Sequence, residues 1–235
     1  MPEIKQIDSS VAAKSYGYVD IVVALDTTGS MSGIINAVQR NIAAKLIGEL
    51  KKQMAKSQSM LAWRGRVIGY GDVKIGEPIT GNPFTDQESV LVDQIMNIPP
   101  TGGGDEPESA LDALMVATRS DWREGPVHKV VVLITDATTH PQMEPSTVSS
   151  GPRDVAFLRE EMIKQRIKLF LYGQECLSYV ELKRLPKASI ALWPASEIYD
   201  ALPTLDFAKE FEVMAKTISD AVVDLAAAPL PSKTA

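Results

Sequence analysis

A doubly wound α/β fold is what this 235-residue sequence predicts: a mainly parallel six-stranded sheet, one short antiparallel edge strand, and helices on both faces. Three observations predict it. Short Val- and Ile-rich runs alternate with longer segments of helical periodicity, the pattern of βαβ units. The runs Tyr18–Leu25 and His128–Thr135 are nearly continuous in apolar residues, as strands buried on both faces of a parallel sheet are. The hydrophobic fraction of 45% suffices for one large core.

The elements follow in order. Residues 1–16 are polar and aperiodic and read as an N-terminal arm, residues 17–225 as the α/β domain, and 226–235, ending in AAAPLPSKTA, as a tail. Tyr18–Leu25 is the first strand. Met31–Met54 is a helix, with Ile34, Ile35, Val38, Ile42, Leu46 and Leu50 at helical spacing and a solvated face of Lys and Arg. Leu61–Tyr70 is the second strand, and Val73–Ile79 is expected to return as the antiparallel edge strand. GEPITGNPFTD is loop by its Gly and Pro content, and Gln87–Asn97 is an amphipathic helix. The irregular stretch PPTGGGDEP precedes a helix over Glu108–Arg119. His128–Thr135 is a strand, Asp154–Gln165 a helix, Lys168–Tyr172 a strand, Ser178–Leu185 a helix stopped by Pro186, and Ser189–Trp193 the last strand. Thr204–Leu225 is expected to form a final amphipathic helix.

Composition excludes some functions. The net charge of −6 and a pI of about 5.1 supply no basic field for phosphate contacts, which argues against a nucleic-acid or anionic-membrane binder. The single cysteine, Cys176, allows no internal disulfide and reads as a small packed residue in a reducing compartment. MPEIKQIDSS lacks the apolar segment of a secretory leader, and no apolar run is long enough to cross a bilayer. A cytoplasmic location is therefore expected.

In sheets of this kind, ligands bind outside the carboxyl ends of the strands. Asp26, Asp72 and Asp136 each follow directly on such an end. In the run DTTGS, a buried Asp needs neutralising, and Asp26, Thr28 and Ser30 alternate so that their oxygens can converge, as a hard cation requires. A turn in which Thr28 or Ser30 merely caps the helix explains the same residues equally well. In PTGGGDEPES the glycines allow close backbone approach. Asp105 suits helix capping, and Glu108, on the first helical turn, is better placed to face Asp26. In ITDATTH, Asp136 ends the strand expected beside the first one, where it can accept hydrogen bonds from metal-bound water. His140 is the weakest candidate there, His128 reads as structural, and neither has zinc spacing.

Enzyme motifs are missing. The sequence has no GxxxxGK[ST] and no GxGxxG after a strand. GSMSG has Met31 where a nucleophile elbow needs Ser, and Thr28 stands where an aspartyl-phosphatase pattern needs its second Asp.

DTTGSMS resembles the D-x-S/T-x-S signature of the metal-ion-dependent adhesion site in von Willebrand factor A domains. DEPESALDAL resembles the D-x-P-E-x-x-x-D-A segment of integrin β I-like domains, and WREGPVHKVVVLITDATTH the stretch ending T-D-A-x-x-H in the same domains. The three occur in the family's order across residues 18–140. The resemblance implies a von Willebrand A, Rossmann-like fold and a site for Mg²⁺ (or Mn²⁺) made by Asp26, Thr28, Ser30 and Glu108, with Asp136 close by. Thr101 is an alternative loop ligand, ranked below Glu108. The family leaves one coordination position open for an Asp or Glu carboxylate of a protein partner. Gly33 and Ile34 replace the acidic pair of a second cation site, which sets a second ion such as Ca²⁺ in doubt. Asp105 partly matches a third site, but Gly103 stands where an Asn is expected. The resemblance is to intracellular or bacterial members, some of which act as adaptors with ATPases or kinases. The expected function is a non-enzymatic, cation-dependent adaptor. The competing readings are a metal-dependent hydrolase of a phosphate ester, with Asp72 or Glu108 as base, and a metal-free scaffold.

Overall fold

The computed structural model describes residues 16–40, 60–99, 102–103, 106–186 and 188–210, with positions 42, 45, 48, 52, 212, 213 and 216. A single sheet runs through it in the order β3-β2-β1-β4-β5-β6. Its strands are β1 (Tyr16–Asp26), β2 (Met60–Tyr70), β3 (Thr80–Gly81), β4 (Val127–Ile134), β5 (Lys168–Gln174) and β6 (Ser189–Trp193). All pairings are parallel except β2 with β3. The helices are α1 (described over 35–40 and at 42, 45, 48 and 52), α2 (Glu88–Met96), α3 (Ala110–Thr118), α4 (Val155–Lys164), α5 (Leu177–Leu182) and α6 (Ile198–Thr204), followed by a further helix described over 207–210 and at 212, 213 and 216.

Strand β1 shows why the sheet is covered twice. Its odd positions Val19, Ile21, Val23 and Leu25 pack into a core with Met31 and Ile34 from the turn after β1 and with Val38, Leu91, Ile95, Ile198 and Leu202 from α1, α2 and α6. Its even positions Val22 and Ala24 face a second core with Leu111, Leu114, Leu158, Met162 and Leu182, from α3, α4 and α5. Side chains alternate across a strand, so an apolar residue at every position requires a helical layer on each face. Burying each Val, Ile or Leu of this kind contributes about 1.5–3 kcal/mol.

The strand order reverses beside β1, since β2 and β3 lie to one side and β4 begins on the other. That switch point opens a crevice at the carboxyl ends of β1 and β4. At the opposite edge the buried Asp20 is held by Arg64 and Arg123. Arg64 Nη2 donates to Oδ2 at 2.8 Å, and Arg123 donates to Oδ1 through Nε at 2.6 Å and to Oδ2 through its backbone N–H at 2.8 Å. Burial pushes this carboxyl up, but the two guanidinium partners outweigh it and hold it below its ordinary value.

The structure corrects three local expectations. Val73–Ile79 is not the edge strand. Val73–Ile75 is a 3₁₀ turn capped by Asp72, which accepts the Lys74 N–H at 2.9 Å, and Gly76 at φ 91° reverses the chain. The antiparallel pairing falls instead at Thr80–Gly81 against Ile68 and Gly69. Glu108 is not on the first turn of α3. It lies two residues earlier and forms a β-bridge with Thr139. Nor does one helix begin at Thr204. α6 ends there with Pro203 inside it, Leu205 is extended, and Asp206 caps a new turn through the N–H groups of Ala208 and Lys209 at 3.1 and 3.3 Å. Tyr172 donates to Glu210 at 3.1 Å and ties that turn to β5. Positions 212, 213 and 216 continue as helix, and the rest of the expected helix, 211, 214, 215 and from 217 on, lies outside the described residues.

Candidate functional site

Asp26 is the last residue of β1 and is fully buried. Extending the β1–β4 register past Leu25 and Ile134 sets it beside Thr135. Thr135 Oγ1 donates to Asp26 Oδ2 at 2.6 Å. Oδ1 accepts from the Thr28 hydroxyl at 2.6 Å and from the Thr28 N–H at 3.0 Å. Thr28 Oγ1 lies 3.1 Å from Ser30 Oγ, and Ser30 Oγ donates to Asp136 Oδ1 at 3.1 Å. Asp26, Thr28, Ser30 and Asp136 are thus brought together in one chain of contacts. Met31 anchors the turn in the core, while Gly29 and Ser30 are exposed, so the chain of oxygens ends at solvent.

This chain has too few protons. The Thr28 hydroxyl spends its proton on Asp26 and the Ser30 hydroxyl spends its own on Asp136. With both carboxylates ionised, two hydroxyl protons serve three contacts, so one contact lacks a proton. Asp136 Oδ2 is buried and makes no close hydrogen bond among the described residues, although the Tyr199 hydroxyl lies near enough to favour the charged carboxylate. No Lys or Arg among the described residues forms an ion pair with Asp26 or Asp136. Burial, reinforced by the nearby Asp136 charge, pushes Asp26 up from 3.8 to about 6, despite the hydrogen bonds from Thr135 and Thr28 that favour the carboxylate. Asp136 is also raised, chiefly by burial, with Glu106 adding to it. Hard oxygens in surplus, from carboxylates and hydroxyls, are a donor set suited to Mg²⁺ or Mn²⁺. No group of three His, Cys, Asp or Glu side chains converges among the described residues, so a cation here depends on the hydroxyls.

The neighbouring loops frame this crevice. Gly29 N–H donates to the Gly102 carbonyl at 2.8 Å, which lays the glycine-rich loop against the DTTGS turn. A Cβ on Gly103, which sits at φ 91°, would meet Gly29 N at 2.5 Å and Thr28 Cβ at 2.8 Å, so only glycine fits. Glu108 is buried. Its N–H donates to the Thr138 carbonyl and its carbonyl accepts from His140 N–H, both at 3.0 Å. Its carboxylate, with that of Asp26, helps burial hold the Tyr70 hydroxyl far above its ordinary pKa. Thr101 and Asp105 lie outside the described residues. His128 is at the far end of β4, away from this crevice, whereas His140 comes within 3.1 Å of Asp72.

Sequence reasoning missed Thr135 and the buried Tyr70 and Tyr179. Tyr179 is raised well above its ordinary pKa by burial, with Cys176 and Asp26 adding. Thr135 had a signal in its place one residue before Asp136, but only the β1–β4 register aims it at Asp26.

No helix among the described residues is long and apolar enough to cross a membrane. No curated protein matches the sequence. The von Willebrand factor A domain family matches residues 20–153, a span that holds the DTTGS turn, Glu108 and Asp136. With more than half its length matched, and with the mainly parallel sheet between two helical layers, the chain belongs to the von Willebrand factor A domain family.

Proposed function

We propose that this domain is a cation-dependent protein-interaction module. Domains of this family commonly serve as interaction modules. The observation that supports the cation is the oxygen chain Asp26–Thr28–Ser30–Asp136, with its proton deficit and its two buried carboxylates that meet no Lys or Arg among the described residues. In this reading Asp26, Thr28 and Ser30 hold Mg²⁺ or Mn²⁺, Asp136 backs them, and Glu108, Thr101 and Asp105 belong to the loops that complete the site. The bound ion supplies positive charge for an Asp or Glu carboxylate of the partner. The exposure of Ser30 leaves room for that carboxylate. The partner class is an acidic segment of another protein, such as an ATPase or kinase, in a reducing, cytoplasmic setting.

The module is read as non-enzymatic. Asp72, one of the two candidate bases of the hydrolase reading beside Glu108, already accepts Ser109 Oγ at 2.9 Å, Lys74 N–H at 2.9 Å and the His140 ring at 3.1 Å on one oxygen. Ser109 and His140 both meet that oxygen, so the histidine does not stand between serine and carboxylate as a nucleophile relay requires.

Two measurements test the proposal. Calorimetric titration with Mg²⁺ and Mn²⁺ should show one binding event, and its absence would sink the cation site. Capture of an acidic protein partner should be abolished by EDTA and by Asp26→Ala with the domain still folded. Turnover of a phosphate ester on adding metal would favour the hydrolase instead.

A further inference from the structure

We propose that Asp72 is the positioning residue of the candidate cation site, a single buried carboxylate that fixes the loops bearing Glu108 and Asp136. The inference rests on the cation-site reading above. Asp72 follows β2 and is 2% exposed. Its Oδ1 receives Ser109 Oγ, the Lys74 N–H and His140 Nε2 at 2.9, 2.9 and 3.1 Å. Ser109 is the neighbour of Glu108, and its Oγ also accepts from Val73 N–H at 3.0 Å. His140 belongs to the loop that Asp136 opens, and its own N–H donates to the Glu108 carbonyl at 3.0 Å. Asp72, Ser109, Glu108 and His140 therefore close a ring across the loops after β2, before α3 and after β4.

The same residue reaches the glycine-rich loop. Asp72 N–H donates to Glu77 Oε2 at 2.8 Å, and the other Glu77 oxygen accepts from Gly103 N–H. Gly102 in turn receives Gly29 N–H from the DTTGS turn at 2.8 Å. None of the hydrogen bonds of Asp72 goes to Asp26, Thr28, Ser30 or Asp136, so it acts through the loops and not on the ion. A carboxylate suits the node because charge-assisted hydrogen bonds are about twice as strong as neutral ones.

The test compares Mn²⁺ binding by wild type, Asp72→Ala, Asp72→Asn and Ser109→Ala, by calorimetry and by the electron paramagnetic resonance of the bound ion. Amide hydrogen exchange is followed over residues 106–110 and 137–140. Asp72→Ala should weaken Mn²⁺ by about 10- to 100-fold, as loss of a ligand-orienting partner does, and should speed exchange in both segments. Asp72→Asn keeps an oxygen for Ser109 and Lys74 and should recover most of the affinity with the wild-type resonance. Ser109→Ala should reproduce part of the loss, and it carries the test if Asp72→Ala does not fold. Wild-type affinity in Asp72→Ala or in Ser109→Ala overturns the inference. So does an Asp72→Asn variant as weak as the Ala variant with an altered resonance, the mark of a direct ligand. Failure of the wild type to bind Mn²⁺ overturns the cation site itself, an outcome distinct from these.

Discussion

Asp26 is ionised at neutral pH inside a fully buried site, and the fold alone does not neutralise it. Its folded pKa, about 6, lies above its ordinary 3.8, so protonation favours the folded state. Without metal, stability is greatest below the ordinary value and falls as pH rises through about 6. The shift corresponds to about 3 kcal/mol. Asp26→Asn should remove this pH dependence, and in EDTA at pH 8 should melt above wild type. It should also abolish stabilisation by Mg²⁺. Thermal melts at pH 4, 6 and 8 with and without Mg²⁺ check both signs. Thr135 is the second residue with a measurable role. Its hydroxyl meets Asp26 Oδ2 at 2.6 Å, so Thr135→Val removes the donor that favours the charged form. Calorimetry should show Mg²⁺ affinity lower by about tenfold. Asp26 was legible as a candidate in the sequence because an acid ending an apolar strand demands an explanation. Thr135 was not, because a Thr at a strand end is ordinary until the opposing residue is known.

At the scale of elements, the loops between strands and helices carry the site, and their shapes depend on single residues. Gly103 sits at φ 91° against Gly29 and Thr28. Gly103→Ala should cost at least 1–2 kcal/mol from the left-handed conformation alone, and the clash adds to it by lifting the glycine-rich loop from the DTTGS turn. Chemical denaturation should show the loss of stability, and calorimetry of the folded variant a weaker Mg²⁺ site. The buried strands and the longer helices were readable from periodicity, which reports a side chain's environment through spacing along the chain. The edge strand was misplaced because Val73–Ile79 has strand-like composition, while its path is decided by Asp72 capping a 3₁₀ turn and by Gly76. The break near Thr204 was missed although Pro203 and the capping Asp206 stand in the sequence, because the apolar spacing continues across them.

At the scale of the whole molecule the two sheet edges have separate tasks. The amino edge holds the buried Asp20 between Arg64 and Arg123, and the carboxyl edge holds the candidate site. Asp20→Ala leaves guanidinium groups without their partner and should cost about 3–5 kcal/mol, seen as a lower urea midpoint. Mg²⁺ affinity of the protein that remains folded should not change, which separates stability from the site. Because the folded pKa of Asp20 is lowered, its contribution holds above the ordinary carboxylate value of 3.8 and is lost as pH falls below it.

The α/β class, the strand ends where acids gather, and the candidate oxygen donors Asp26, Thr28, Ser30 and Asp136 were readable along the chain. These follow from local chemistry, namely apolar spacing and the cost of a carboxylate at the end of a buried strand. That Ser30 and Asp136, 106 residues apart, share a hydrogen bond follows from the packed fold alone. The same packing aimed Thr135 at Asp26 and made Asp72 the node for Ser109 and His140. Such contacts depend on which strands lie side by side and in what register, a property of the packed sheet that spacing along one chain segment does not carry.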